Sequence, residues 1–409
     1  MTPSISTIQR LLRKSPVLTI LLAELAGTSL WFSGTHAIEE LKAESDSAWG
    51  HVLWLQIGIT LAVQAGFICG TFLFAVTGLA DRLASHRIFF VSAAIGAMWN
   101  YLFVSFYQIS ELVLLCRFCT GFALAGIYPI GMKLIITWEP DKKAIVLSFL
   151  VGSLTLGTAI PYLIRGLGDH SWKIASLGAS WLALGGGLCI LALGEGKTIP
   201  GRSKFHIHKI AYCFRQEKYR CSALAYFGHM WELYTFWALI PRLVGVLLAD
   251  TTNQHPATIA LFSSGFISAG ALACFLNRYL NRRMGTAQLA SIWLAISASG
   301  CLLGPFLSDL PIGIAWTILF FWSMAVVADS PLFSALSAQA IPADTLGTAL
   351  TIQNAIGFAI TLISLQSILS CWSEMNLWVY WFLLPGPLFG IWNLKRLLKN
   401  ATSESTAPS

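Results

Sequence analysis

Residues 51–107 read HVLWLQIGITLAVQAGFICGTFLFAVTGLADRLASHRIFFVSAAIGAMWNYLFVSFY. Two continuously apolar runs, 51–77 and 88–107, flank a short turn that carries Asp81, Arg82 and Arg87. About 20 apolar residues are what a helix needs to cross the hydrocarbon core of a bilayer. A strand of a membrane barrel would instead alternate apolar and polar residues over about 10 positions. The stretch therefore reads as membrane helix, basic turn, membrane helix.

The same pattern extends through the chain. Further runs lie near 16–38, 111–137, 144–167 and 173–193, then near 221–249, 257–277, 287–307, 311–338, 346–370 and 377–394. The expectation is an all-α membrane protein with twelve transmembrane helices in two six-helix halves, 1–193 and 221–409, joined by a basic cytoplasmic loop, 194–220. Composition agrees: of 409 residues 56% are apolar and 11% charged, against about 25% charged in ordinary globular chains. Twelve helices of about 20 residues use roughly 240 positions, which leaves no room for a soluble catalytic domain. The reading is a membrane protein that is not an enzyme.

Lys and Arg resist translocation and mark the cytoplasmic side. With the N-terminus inside, the inner segments hold 20 of the 26 basic residues, seven of them between Lys197 and Arg220. The net charge of +7 is then a topology signal rather than a nucleic-acid footprint. Both termini are expected in the cytoplasm and the chain in a bacterial inner membrane. The N-terminal apolar run after Arg10, Arg13 and Lys14 is longer than a signal-peptide core and is read as a retained first helix. The nine Cys lie mostly inside helices and imply no disulfide framework.

Internal repetition appears at two places. Asp81-Arg82-Leu83-Ala84-Ser85-His86-Arg87 is echoed by Asn277-Arg278-Tyr279-Leu280-Asn281-Arg282-Arg283, an offset of 196 residues from 81 to 277. Gly126-Ile127-Tyr128-Pro129 is echoed by Ala328-Asp329-Ser330-Pro331, an offset of 202 from 129 to 331. Two similar halves are the architecture of many secondary transporters, whose site lies near the bilayer midplane.

Gly78-Leu79-Ala80-Asp81-Arg82 resembles the signature between helices two and three of the major facilitator superfamily, and Arg117 with Gly121 resembles its Arg-x-x-x-Gly pattern in helix four. Thr77 and Ala84 stand where that signature usually has glycine. Leu30-Trp31-Phe32-Ser33, Gly228-His229-Met230-Trp231-Glu232-Leu233-Tyr234 and Ala328-Asp329-Ser330-Pro331 are similar to a bacterial branch often filed near nitrate and cyanate permeases. The resemblance implies a monomer that moves a small solute by alternating access, without a cofactor, with helices one, four, seven and ten lining the cavity. It also implies that Asp81, Arg82, Arg87 and Arg278 form a cytoplasmic gate. The plainer reading of that gate is topology by positive charge.

Charged side chains within membrane helices cost at least about 2.5–3.5 kcal/mol on insertion scales and mark function or a buried partner. Glu24 falls in helix one, Arg117 in helix four, His229 and Glu232 in helix seven, and Asp329 in helix ten. Glu24, Thr28 and Trp31 share one face by spacing, as do His229, Glu232 and Phe236. An acid that binds and releases a proton in a low-dielectric cavity couples flux to a proton gradient. Glu232 or Asp329 is the expected carrier, with Arg117 as counter-charge; the competing reading is that these acids only tie helices together.

Three acids against one Arg argue against an anion carrier. Helix two has Gln56 and Gln64, and helix eight no Arg before Arg278, where nitrate carriers of the superfamily resemble one another in having Arg. A neutral or cationic organic solute fits better, with Trp31, Trp231, Trp237 and Trp322 as stacking surfaces or as packing and interface residues. Two classes of function remain, a proton-coupled secondary transporter and a transporter-like receptor or scaffold without flux; a small-anion permease is the third and weaker alternative. Gly194-Glu195-Gly196-Lys197-Thr198 lacks the first glycine of a phosphate loop. Cys116 and Cys119 form a lone C-x-x-C in an apolar helix, with no second pair to make a metal site.

Overall fold

Helix, with its turns, is the only secondary structure among the residues that the computed structural model describes, namely 5–38, 41, 52–168, 171–196, 208–249 and 255–405. Lys42, Lys197, Thr198, Arg202, Lys204, Phe205 and His206 lie outside the described residues, as does the side chain of Asp81. Among the described residues nine segments are long and apolar enough to cross a membrane, and the helix Pro16–Thr28 is a shorter apolar one. The last of the nine, Ala349–Leu398, spans an interruption at Asn376–Phe382. In the basic stretch, His208–Arg215 is a short helix of its own.

Burial is inverted relative to a protein in water. Leu22, Phe72, Ile95, Trp181, Phe321 and Ile363 face outward, whereas Glu24, Arg117, His229, Glu232 and Asp329 are each at most 2% exposed. Lipid makes that distribution favourable: apolar side chains lose nothing by facing it, and charges gain by turning to internal partners. The chain divides into two compact units, Met1–Arg202 with Thr251–Ser268, and Ser203–Asp250 with Ala269–Ser409.

The first span departs from the continuous helix expected over 16–38. It stops at Thr28, runs irregularly through Gly34, and makes a single 3₁₀ turn at Thr35–Ala37. Hydroxyls take up carbonyls at the break. Thr28 Oγ1 donates to the Glu24 carbonyl at 2.7 Å, Ser29 Oγ to that of Ala26 at 2.6 Å, and Ser33 Oγ to that of Leu30 at 2.8 Å. Such side chains compete with the helix's own N–H groups for its carbonyls.

The fourth and tenth spans are broken too, in a way common to the two of them. The fourth runs as Ser110–Leu124 and Tyr128–Trp138, and the tenth as Ile312–Ala328 and Ser330–Ala340. In each the second piece has 11 residues and a proline in its second position, Pro129 or Pro331. Proline lacks the N–H that would continue the preceding helix but suits a first turn. Both ends of the second pieces are offset by 202 residues, from 128 to 330 and from 138 to 340, so the repeat read from sequence extends to backbone geometry.

Small residues set the closest helix approaches. A Cβ on Gly121 would strike the backbone of Val63, and one on Gly66 the backbone of Phe118, which locks Val52–Thr77 against Ser110–Leu124. In the second unit Gly228 and Gly386 press together in the same manner. Gly78 sits at φ 62°, the left-handed region that suits glycine, and turns the chain into the short helix Leu79–Arg82.

Backbone cannot yield as a side chain can, so Gly121→Ala is expected to destabilise the protein by about 1–3 kcal/mol through overpacking. Gly185→Ala is the control: a Cβ there meets nothing within 4 Å, and alanine is the better helix former. Thermal unfolding of the purified protein in detergent should show a lowered Tm for the first variant and an unchanged or raised Tm for the second.

Candidate functional site

In the first unit, the broken end of the first span and Arg117 form one assembly. Arg117 Nη2 donates to the carbonyls of Trp31 at 2.6 Å and Leu30 at 3.2 Å, while Nη1 donates to Ser33 Oγ at 3.0 Å and Asn100 Oδ1 at 3.1 Å. The guanidinium also lies 5.6 Å from the centre of the Phe103 ring. Carbonyls left free by a helix break inside a membrane need donors, and a cation suits the negative end of a helix. Asn100 extends the network: its Nδ2 donates to the Ser176 carbonyl at 2.8 Å and to Ser180 Oγ at 2.9 Å, and Ser176 Oγ donates to the Ser33 carbonyl at 2.7 Å. Four spans, the first, third, fourth and sixth, are tied through these few groups.

Glu24 lies elsewhere in the same unit. It is wholly buried, and neither carboxyl oxygen makes a hydrogen bond. It occupies a notch at Gly131 in the second piece of the fourth span, where a Cβ would collide with Oε2. Trp31 packs on Phe67 with ring centres 4.8 Å apart.

The second unit holds two separate acidic centres. Glu232 Oε1 accepts from Ser297 Oγ at 2.6 Å, Trp322 Nε1 at 3.0 Å and Cys301 Sγ at 3.2 Å. Trp322 is held in turn by Phe236 at 4.6 Å and Tyr380 at 5.2 Å between ring centres. Asp329 is the residue at which the tenth span breaks, and its Oδ1 pairs with His229 Nδ1 at 2.8 Å. Tyr226 and Phe333 flank the imidazole at 5.8 and 5.9 Å. His229 Nε2 makes no hydrogen bond. His229 and Glu232, read from sequence as one stripe, thus serve different partners.

The expected gate residues are spread along the basic ends. Arg82, Arg87 and Arg278 are exposed, and Arg278 lies 5.9 Å from the centre of the Tyr279 ring. In the first unit that turn is clasped by residues the sequence did not assign to it: Lys133 Nζ donates to the Ala80 carbonyl, and His86 Nδ1 pairs with Glu195 Oε1 at 3.2 Å. Asn277, the counterpart of Asp81, is buried: its Nδ2 donates to the Ala328 carbonyl at 2.6 Å and its Oδ1 accepts from Trp293 Nε1 at 2.9 Å. It therefore satisfies a backbone group freed by the break before Asp329. Among the described residues no group of three His, Cys, Asp or Glu side chains is placed to hold a metal ion.

Broken spans at matching positions in two repeats, each with a buried polar centre, are the arrangement of a solute carrier. A sequence model of the Major Facilitator Superfamily matches residues 17–365. The chain belongs to the Major Facilitator Superfamily. It is accordingly a multi-pass membrane transporter. No curated protein sequence matches it significantly.

Superfamily halves are repeats, and here the repeat shows what differs between them. The first network joins Ser33, Asn100 and Arg117 on the first, third and fourth spans, and the second joins Glu232, Cys301 and Trp322 on the seventh, ninth and tenth. Gly27 and Ile127 correspond to His229 and Asp329, both at 202. In the first unit Ile127 fills the space over Gly27, with its Cγ2 2.7 Å from where a Cβ would lie. In the second unit the same place holds the His229–Asp329 pair. Sequence reading missed Asn100, Ser297 and Cys301; isolated polar residues at matching depth in the third and ninth spans were the available signal.

Asn100→Ala removes an acceptor from Arg117 and the link to Ser176 and Ser180 together. It is expected to cost about 1–3 kcal/mol or more, because buried donors are left unmade. Arg117→Lys retains the charge but not the fork that reaches four acceptors, and should likewise lower Tm. Wild-type Tm for both variants would refute the capping role.

Proposed function

We propose that this transporter moves a neutral or cationic organic solute by alternating access, driven by a proton gradient, and that the His229–Asp329 pair is the element that exchanges the proton. The supporting observation is the 2.8 Å pair itself, nearly unexposed and seated on the break of the tenth span. A proton taken up by the pair removes the negative charge that otherwise faces His229. The attraction between the seventh and tenth spans then weakens, and the second piece Ser330–Ala340 is free to shift. Glu232 has a different task in this reading. Three donors converge on one of its oxygens, an acceptor's environment that ties the seventh, ninth and tenth spans. Arg117 neutralises backbone carbonyls, and Glu24 is a further protonatable group in the notch at Gly131.

The proposed frame is that of twelve spans in halves 1–193 and 221–409 around a cytoplasmic stretch, 194–220, with Asp81, Arg82, Arg87 and Arg278 at the inner gate. The protein works as a monomer in a bacterial inner membrane, with both termini in the cytoplasm.

Proteoliposomes loaded with a panel of uncharged and cationic solutes, with and without an imposed pH gradient, test the assignment. Asp329→Asn is expected to abolish gradient-driven accumulation while downhill exchange continues. Glu232→Gln should lower Tm yet keep its response to the gradient. A gradient response that survives in Asp329→Asn and vanishes in Glu232→Gln would reverse the two roles.

A further inference from the structure

The second span contains a buried polar group that neither network uses. Gln64 lies midway along Val52–Thr77, is wholly buried, and neither its Oε1 nor its Nε2 makes a hydrogen bond. A buried amide has an acceptor and two N–H donors, and folded proteins rarely leave such a group without any partner. Its surroundings have not simply failed to close. Thr60, Gln64, Phe67 and Thr71 follow at i, i+4, i+7 and i+11 and share one helix face. On one side of Gln64 along that face, Thr60 Oγ1 meets Thr35 Oγ1 at 3.1 Å; on the other, Phe67 packs on Trp31 with ring centres 4.8 Å apart. Beyond Phe67, Thr71 Oγ1 is a second buried polar atom without a hydrogen bond.

This face is distinct from the one that holds the second span in place. Val63 and Gly66 lock against the fourth span through backbone contacts, and each lies one residue, about a quarter turn, from Gln64 or Phe67. The face with Gln64 looks instead toward the stretch after Thr28, whose irregular part supplies Trp31 and whose 3₁₀ turn supplies Thr35. Every side chain named on it is uncharged. The two terminal nitrogens of Arg117, the cation that binds the same segment, are spent on Leu30, Trp31, Ser33 and Asn100.

We propose that Thr60, Gln64, Phe67 and Thr71, with Trp31, form the solute-recognition surface of the first unit, and that the solute is uncharged and planar with an amide- or hydroxyl-type polar group. The inference rests on the transporter reading and narrows it from neutral or cationic solutes to neutral ones on this face. The amide offers donor and acceptor together, which suits a partner that does the same. The rings supply a flat apolar contact. An ion seated here would be desolvated with no opposite charge among these side chains.

The test uses the purified full-length chain and three probes of similar shape: benzamide, benzoate and toluene. Gln64→Leu, nearly the same in volume, should leave Tm unchanged or raise it, since an unpaired buried amide is replaced by an apolar group. Benzamide should raise the Tm of the wild type, and its apparent affinity should fall about tenfold or more in Gln64→Leu. Benzoate and toluene should not distinguish the two proteins. A lowered Tm for Gln64→Leu would reveal a structural amide and overturn the proposal, as would an absent benzamide shift in the wild type or an equal shift in both. Binding that depends on Gln64 in a protein that moves no solute would leave this surface standing and defeat the transporter reading. Proton-driven flux with an unaltered KM in Gln64→Leu would do the reverse.

Discussion

Arg117 holding the carbonyls of Leu30 and Trp31 is the contact on which the first unit depends. A helix that stops inside a bilayer exposes carbonyl oxygens to hydrocarbon, where water cannot serve them. A single guanidinium answers two of them, and its other nitrogen engages Ser33 and Asn100. From Asn100 the ties pass to Ser176 and Ser180. The cost of burying the cation is met by four acceptors, and the break in turn positions Trp31 and Thr35 over the second span. The charge so conspicuous in the sequence thus acts first on backbone.

The second unit solves related problems with other chemistry. Its seventh span, Glu217–Leu247, remains helical over 31 residues with Pro241 inside it, so it has no helix stop like the one that Arg117 caps. The donor in the first network is a cation; in the second it is Trp322, a donor without charge, and the acid Glu232 is the acceptor. Where the first unit packs Ile127 on Gly27, the second pairs Asp329 with His229. The fourth and tenth spans match in backbone and differ in filling, apolar at Ile127 and a histidine–carboxylate pair at Asp329.

Much of this was legible in the amino-acid sequence, for physical reasons. Apolar runs of membrane length report a solvent, and a bilayer admits few solutions, so the all-helical class followed from composition and continuity. Single helices were expected over 111–137 and 311–338; the breaks at Tyr128 and Ser330 depart from that, although Pro129 and Pro331 act on a helix locally and carried the signal. The stop at Thr28 had no such signal, because hydroxyls within an apolar run are compatible with helix until a donor such as Arg117 claims the carbonyls. Partners were the least legible. Arg117 was paired in expectation with an acid because opposite charges attract, yet the partners found for it are carbonyls, a hydroxyl and an amide. Gln64 was noticed only as a missing arginine; its lack of any hydrogen bond is a property of packing, which spacing does not reveal.

The separation of Arg117 from the carbonyls it binds, 86 residues for Trp31 and 87 for Leu30, has a consequence for biosynthesis. A ribosome adding about 5–20 residues per second needs roughly 4–17 s to reach Arg117 after Trp31 has been made. Through that interval the emerging first segment has no cation to cap it, and a continuous helix is the form that leaves none of its carbonyls bare. The broken form belongs to a later moment, after the fourth segment has entered the membrane. In this half, an element translated early is completed only when a later one arrives.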